Sequence, residues 1–263
     1  MPGDSATPAC EVRVASILTY HDLGRRVQLG LPQVSRRRFG AHLDALASVA
    51  DLLVPAREAV SGSQSRAIAL TFDDGYESVH TEALPEMVAR GARGTVFVVV
   101  GSVGTDSNWD VRLAVRRARH LTWAQLEDLV KQGFEVASHT MSHRDLTRLA
   151  ERDLAEELAR SKALIEDRLA TEVVSVAYPF GKADARVMDA AARLGYIYGF
   201  GNAPHGSSSS AANPMMIGRM SVYGIDGRAS LLAKVGVGPG HWFEVLKCRL
   251  IAGMSHGTPL VKR

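Results

Sequence analysis

A chain of 263 residues with 46% hydrophobic content can bury a substantial core, and one domain is the simplest reading. A formal net charge of +3 and a pI near 9.0 fit an anionic surface or polymer but do not single out nucleic acid as a partner. No apolar run is long enough to cross a bilayer, and Cys10 and Cys248 are too few and too far apart for a disulfide framework or a thiolate metal site.

The first ten residues lack a basic start and an apolar core, so no signal peptide is visible and a reducing, cytoplasmic compartment is the default expectation. A strand-like run over 12–20 ends in Tyr20-His21-Asp22, where His21 on its own reads as a polar residue at a strand exit. Residues 39–46 carry apolar side chains at helical spacing, with His42 expected on the exposed face, and Arg36-Arg37-Arg38 reads as solvated charge. A polar connector at 61–65 leads into Ala67-Ile68-Ala69-Leu70-Thr71-Phe72, a short buried strand that delivers Asp73 and Asp74 to a turn at Gly75. Neighbouring side chains of an extended segment point to opposite sides, so the two carboxylates cannot share one job. One can ligate a metal while the other faces the reacting water; taken alone, the tripeptide reads instead as a strand-ending turn.

Beyond the turn, 76–90 fits a helix bent or broken at Pro85, and 95–100 a β-branched strand. Residues 101–119 form a loop-rich insertion at the expected rim of a groove, where Trp109 either stacks on a ligand ring or packs on the loop. Arg116, Arg117 and Arg119 read as solvated charge. Thr122 and Gln125 make a capping-box pattern at the start of a helix over 121–132. Another strand-like run then leads into Ser138-His139-Thr140-Met141-Ser142-His143, whose two histidines stand at ligand spacing. With Asp74 they offer one oxygen and two nitrogens, an open set that leaves room for water and substrate, as catalytic metal sites do.

Residues 146–170 hold a long amphipathic helix through Leu154, Leu158, Leu164, Ile165 and Leu169, and its Glu and Arg residues, mostly between those positions, read as solvent-facing charge. A strand over 173–178 runs into Tyr178-Pro179-Phe180-Gly181, followed by a helix at 187–194 and strands at 196–200 and 216–222. The serine run at 206–211 reads as a loop. The tail, with Trp242-Phe243-Glu244-Val245-Leu246-Lys247, reads as a helix that caps the core or touches a partner or peripheral membrane surface, and the cap is expected. Strand and helix in regular succession imply parallel strands with helices outside. His21, Asp73, Asp74, His139, His143 and the Tyr178-Phe180 segment then all fall at carboxyl ends of strands, where such barrels place their active residues.

Thr71-Phe72-Asp73-Asp74-Gly75 followed by His139-Thr140-Met141-Ser142-His143 resembles the paired signature of the polysaccharide deacetylases, the NodB-like domain of carbohydrate esterase family four. Tyr20-His21 and Ala177-Tyr178-Pro179-Phe180-Gly181 resemble the branch typified by deacetylases of poly-β-1,6-N-acetylglucosamine. The resemblance implies a distorted (β/α) barrel of about seven parallel strands over 15–225, between an irregular lead (1–14) and a C-terminal extension (226–263) packed on the barrel. It implies a divalent ion on Asp74, His139 and His143, with zinc leading over cobalt, nickel and iron. Asp73 is then the general base, His21 the general acid, the Phe180 backbone N–H the oxyanion donor, and Tyr178 and Trp109 contacts to an N-acetylated glycan. Many relatives carry an arginine that tethers the base where this chain has Ala177; Arg219 is the candidate replacement, or else a surface salt bridge. The alternative activities are hydrolysis of a non-sugar amide and O-deacetylation on the same scaffold.

Overall fold

The computed structural model describes residues 16–24, 33–62, 66–106, 118–201 and 213–255, with 252–255 as backbone only. Cys10, Trp109, Arg116, Arg117 and the 206–211 loop lie outside the described residues.

Among the described residues, nine short strands run in order β1 (Ser16–Tyr20), β2 (Leu52–Val54), β3 (Ala67–Phe72), β4 (Thr95–Val98), β5 (Glu135–Ser138), β6 (Ser175–Ala177), β7 (Tyr198–Gly201), β8 (Ile217–Gly218) and β9 (Met220–Ser221). Every strand pairing is parallel, and the sheet runs β8-β7-β6-β5-β4-β3-β1-β9, with β2 added beside β3. Its two ends are consecutive in sequence: Ile217–Gly218 pairs with β7, Met220–Ser221 pairs with β1, and Arg219 alone joins them. The strand expected over 216–222 is therefore one strand split at Arg219, and it brings the wall round to a nearly closed barrel. Counting the split strand once, seven strands form the wall, as the sequence resemblance implied.

The two-residue period sorts the strands into two cores. Alternate positions of the wall strands turn inward, including Ile17, Ala69, Phe97, Ala137, Ala177, Phe200 and Ile217. Leu18, Tyr20, Ile68, Leu70, Phe72, Val96 and Val136 turn outward under the helices. The inner set mixes alanines with two phenylalanines because a seven-stranded barrel has room for few large side chains. Its lower end is plugged by α2 (Ala56–Val60), whose backbone N–H groups donate to Thr95 Oγ1 at 2.7 Å and Glu135 Oε2 at 3.3 Å.

The outer layer departs from the sequence reading at three points. First, His42 on α1 (Arg36–Ala47) is buried, not exposed: it shares the inward face with Phe39, Leu43 and Leu46. It is satisfied there by Tyr20 Oη at 3.2 Å and the Asp226 carbonyl at 3.0 Å. Second, the segment before Pro85 forms a π-helical turn (Val79–Ala83) that passes into α3 (Leu84–Val88). Pro85 sits in the first turn of α3, where a missing N–H costs least. Third, the expected 146–170 helix begins only at Glu151, after a 3₁₀ turn at Leu146–Arg148, and α5 (Glu151–Leu169) ends on a left-handed Ala170. By contrast, α4 (Trp123–Lys131) starts on the expected capping box between Thr122 and Gln125.

After α6 (Ala185–Arg193), the tail supplies α7 (Arg228–Lys234), packed on α1, and α8 (His241–Ser255), packed on α7 and β9. Trp242, Phe243, Leu246 and Leu250 remain exposed on α8. No helix among the described residues is long and apolar enough to cross a membrane. Between α7 and α8 lies a buried ionic cluster. Lys234, fully buried, is 3.4 Å from Asp226 and 3.0 Å from Glu244, and Lys247 closes on Asp226 at 2.7 Å. Burial alone would raise the Asp226 carboxyl, but Lys234 and Lys247 outweigh it and hold the group below its usual range. A depressed folded value means the carboxylate's contribution is complete above the unfolded value near 4 and lost as pH falls through the folded one. Lys234→Ala leaves buried carboxylate charge short of a partner and is expected to cost about 3 kcal/mol. Urea midpoints at neutral pH check this.

Candidate active site and metal centre

The inward period of β3 runs Ala67, Ala69, Thr71 and on to Asp73, whose N–H still donates to the Tyr20 carbonyl at 3.0 Å. Asp73 therefore enters the barrel mouth in strand geometry. Asp74 does not continue the strand: its φ of 67° and the 65° of Gly75 fold the chain back, so the second carboxylate also reaches the mouth, from another direction. His120 helps hold that turn through Nδ1, 2.9 Å from the Asp74 carbonyl, and Leu121 N–H donates to Gly75 at 2.8 Å.

The two acids have different partners. Asp73 receives a bidentate fork from Arg219, with Nη1 at 2.7 Å and Nη2 at 2.8 Å from its two oxygens. Both side chains are nearly buried, at 4% and 7% exposure, so this is no surface salt bridge. Arg219 also lies 5.2 Å over the Phe97 ring inside the barrel. Burial by itself would raise the Asp73 carboxyl, but Arg219, His139 and His21 together hold it down at about 2. The guanidinium enters from between the two halves of the split last strand, and the small Ala177 lies on the inner face of β6.

Asp74 faces the histidines. Its Oδ1 lies 3.6 Å from His139 Nε2 and 3.6 Å from His143 Nε2. That is too long for hydrogen bonds. It is close to the roughly 3.4 Å that separates neighbouring ligands placed about 2.1 Å from one tetrahedral cation. One ligand atom from each of the three residues lies within 4.8 Å of the others. His139 Nδ1 is 2.8 Å from the Ala177 carbonyl. A carbonyl only accepts, so Nδ1 carries the proton and the Nε2 lone pair is left for a cation, the second contact usual for ligand histidines. Burial pushes the His139 imidazole down to about 4, against the charge of Asp73, so the ring is neutral near pH 7. Oxygen and two nitrogens with an open side fit zinc or a similar divalent ion.

The histidine loop is strained. Thr140 has φ 68° and His143 φ 57°, values uncommon for non-glycine residues and costly for a β-branched one. Several bonds hold it. Val100 and Gly101 N–H donate to the carbonyls of Thr140 and Met141 at 3.1 and 2.8 Å, and His143 N–H donates to Thr140 Oγ1 at 3.1 Å. A Cβ on Gly101 would meet the Met141 carbonyl at 2.7 Å, so only glycine allows this approach.

Around these groups is a cleft of about 260 Å³ lined also by His21, Phe180, Tyr223 and Ile251 of α8. His21 Nδ1 is buried and has no hydrogen-bond partner among the described residues. Phe180 has φ 59° and ψ 11° in the turn after β6, and its ring stands edge-on to His143 at 4.9 Å. Tyr178, read from the sequence as a glycan contact, also lines the cleft; its side chain is buried and its hydroxyl donates to the Met215 carbonyl at 3.0 Å.

One residue that binds this site together was missed. Glu157 of α5 was read among solvent-facing charges, yet it is 7% exposed and lies against the histidine loop. The signal was present in its position, on the same helical face as Leu154, Leu158, Ser161 and Ile165.

Known proteins share this sequence pattern and this fold. YxkH of Bacillus subtilis (strain 168), named a candidate polysaccharide deacetylase, is 26% identical over 198 residues, covering 73% of this chain and 66% of its own. A chitooligosaccharide deacetylase of Sinorhizobium fredii is 29% identical over 138 residues, covering 51% of this chain and 56% of its own. The chain thus spans less than two thirds of either relative. The solved structure of the Streptococcus pyogenes deacetylase PplD in complex with acetate shares the fold with a TM-score of 0.71 at 22% identity, covering 84% of this chain and 97% of its own. The sequence model of the polysaccharide deacetylase family matches residues 61–199, which hold Asp73, Asp74, His139, His143 and Phe180. With that match over half its length, the chain belongs to the polysaccharide deacetylase family.

Proposed function

We propose that the protein is a metal-dependent hydrolase that removes N-acetyl groups from an N-acetylglucosamine-containing polysaccharide or glycoconjugate. One observation carries this reading: two consecutive carboxylates at one strand end are given different work. Asp73 is occupied by Arg219, and Asp74 is turned toward two imidazole nitrogens at ligand spacing. Family membership and the name of the Sinorhizobium relative support the substrate class.

An acetamide is a poor electrophile and neutral water a poor nucleophile. Asp74, His139 and His143 would hold a divalent ion, most simply zinc, which when bound would supply acidity to water and polarisation of the acetamide oxygen. The chain's own groups do the rest. Asp73, held ionised by Arg219, accepts the proton of the attacking water. Its basicity is low, so its use lies in being always charged and fixed in aim. The backbone N–H of Phe180, at the lip of the cleft, donates to the developing oxyanion. His21, whose buried Nδ1 has no hydrogen-bond partner among the described residues, protonates the leaving amine before the C–N bond breaks.

Acetate release tests the reading on chito-oligomers, β-1,6-linked oligomers, peptidoglycan fragments and simple cyclic amides. Release from N-acetylated oligosaccharides is expected, abolished by a chelator and restored by zinc or cobalt. Turnover of cyclic amides alone would move the assignment to another C–N hydrolase, and chelator-resistant release would remove the metal from it.

A further inference from the structure

The Glu157 carboxylate reaches across from α5 to the middle of the histidine loop. It accepts the backbone N–H of Met141 at 3.0 Å and of Ser142 at 2.9 Å, and also the Ser142 hydroxyl. Three donors on one buried carboxylate are more than packing of α5 requires, since that helix face is otherwise filled by Leu154, Leu158, Ser161 and Ile165. The two residues it grips lie between His139 and His143, and the segment includes left-handed Thr140 and His143. Such a segment keeps its shape only while its surroundings over-determine it. Ser138 contributes a second fixed point: its Oγ accepts Thr140 N–H at 3.1 Å and meets Ser161 Oγ of α5 at 2.8 Å. The loop is thus referenced to α5 at its start, through Ser138 and Ser161, and at its middle, through Glu157.

We propose that Glu157 is a positioning residue for the metal centre, clamping the 139–143 loop so that both imidazoles meet Asp74 at ligand spacing. This rests on reading Asp74, His139 and His143 as a metal site. Glu157 touches neither ion nor substrate. Its effect is to keep the two nitrogens where a cation finds them ready, so that binding does not have to order the loop.

Cobalt titration of the metal-free protein, followed by visible absorption, tests this alongside thermal melting of the same metal-free samples. Glu157→Gln keeps the shape but has one acceptor oxygen for three donors and no charge; it is expected to raise the cobalt Kd about 10–100-fold. Ser142→Ala, which leaves α5 intact, is expected to raise it by a smaller factor. A Kd within twofold of wild type for Glu157→Gln overturns the proposal, whatever happens to the melting temperature. Asp74→Ala separates the two layers of the argument. If it abolishes cobalt binding while Glu157→Gln does not weaken it, only the clamp is wrong. If Asp74→Ala binds cobalt like wild type, the metal centre and the clamp fail together.

Discussion

An Asp73→Asn enzyme is expected to retain its metal and lose about 10²–10⁴-fold in kcat. The substitution preserves the shape of the side chain but removes its charge, its ability to take a proton and one of the two acceptors of the Arg219 fork. Asp74 and the two histidines do not depend on that charge for their placement: the Asp74 turn is held by His120 and Leu121, and His139 by the Ala177 carbonyl. Metal content should therefore stay near that of wild type while turnover collapses. Parallel measurement of metal stoichiometry and acetate release checks this. Undiminished turnover would exclude Asp73 as the base, and loss of metal would mean that the roles of the two consecutive acids have been exchanged.

The second large effect is expected at Arg219. Arg219→Ala removes both bonds of the fork and leaves the Asp73 carboxylate buried with less to compensate it, at a cost of about 3–5 kcal/mol in stability. Burial, the largest influence on Asp73, then acts with the guanidinium gone, and the carboxyl rises from about 2 by roughly 1–3 pH units. The sign follows directly. In wild type the depressed value keeps Asp73 ionised throughout the working range, and its contribution is lost only as pH falls through the folded value. In the variant that loss begins at higher pH, so the acid limb of the kcat profile moves upward. Arg219→Lys restores the charge without the fork and should recover only part of the rate. Wild type itself should give a bell-shaped profile. Its two limbs reflect a base that must be ionised and an acid that must be protonated at the same time. An acid limb and urea midpoint unchanged in Arg219→Ala would leave Arg219 without the role given to it here.

The parts of this site legible in the sequence were those encoded by short spacing. An apolar strand ending in two acids and a glycine, and two histidines just past another strand, needed only the periods of strand and turn to be aligned at one barrel mouth. What could not be read was set by contacts between distant segments. Arg219 and Asp73 lie on the split last strand and on β3, and nothing local to either distinguishes a buried fork from an exposed pair. His42 was assigned to the wrong face because its polarity outweighed its register with Phe39, Leu43 and Leu46. Glu157 was misread for the same reason. Tyr178 was placed at the right strand end, but the acceptor that occupies its hydroxyl, Met215, comes from beyond β7. His21 and Arg219 fall outside the 61–199 family match, yet β1 and the split strand bring both into the cleft.

The account stands on a single cation held by three side chains, and anomalous scattering from zinc-loaded crystals tests that directly. One fully occupied peak is expected, about 2.0–2.2 Å from an Asp74 oxygen and from both His139 Nε2 and His143 Nε2. A peak elsewhere, or none in protein that still releases acetate, would contradict it.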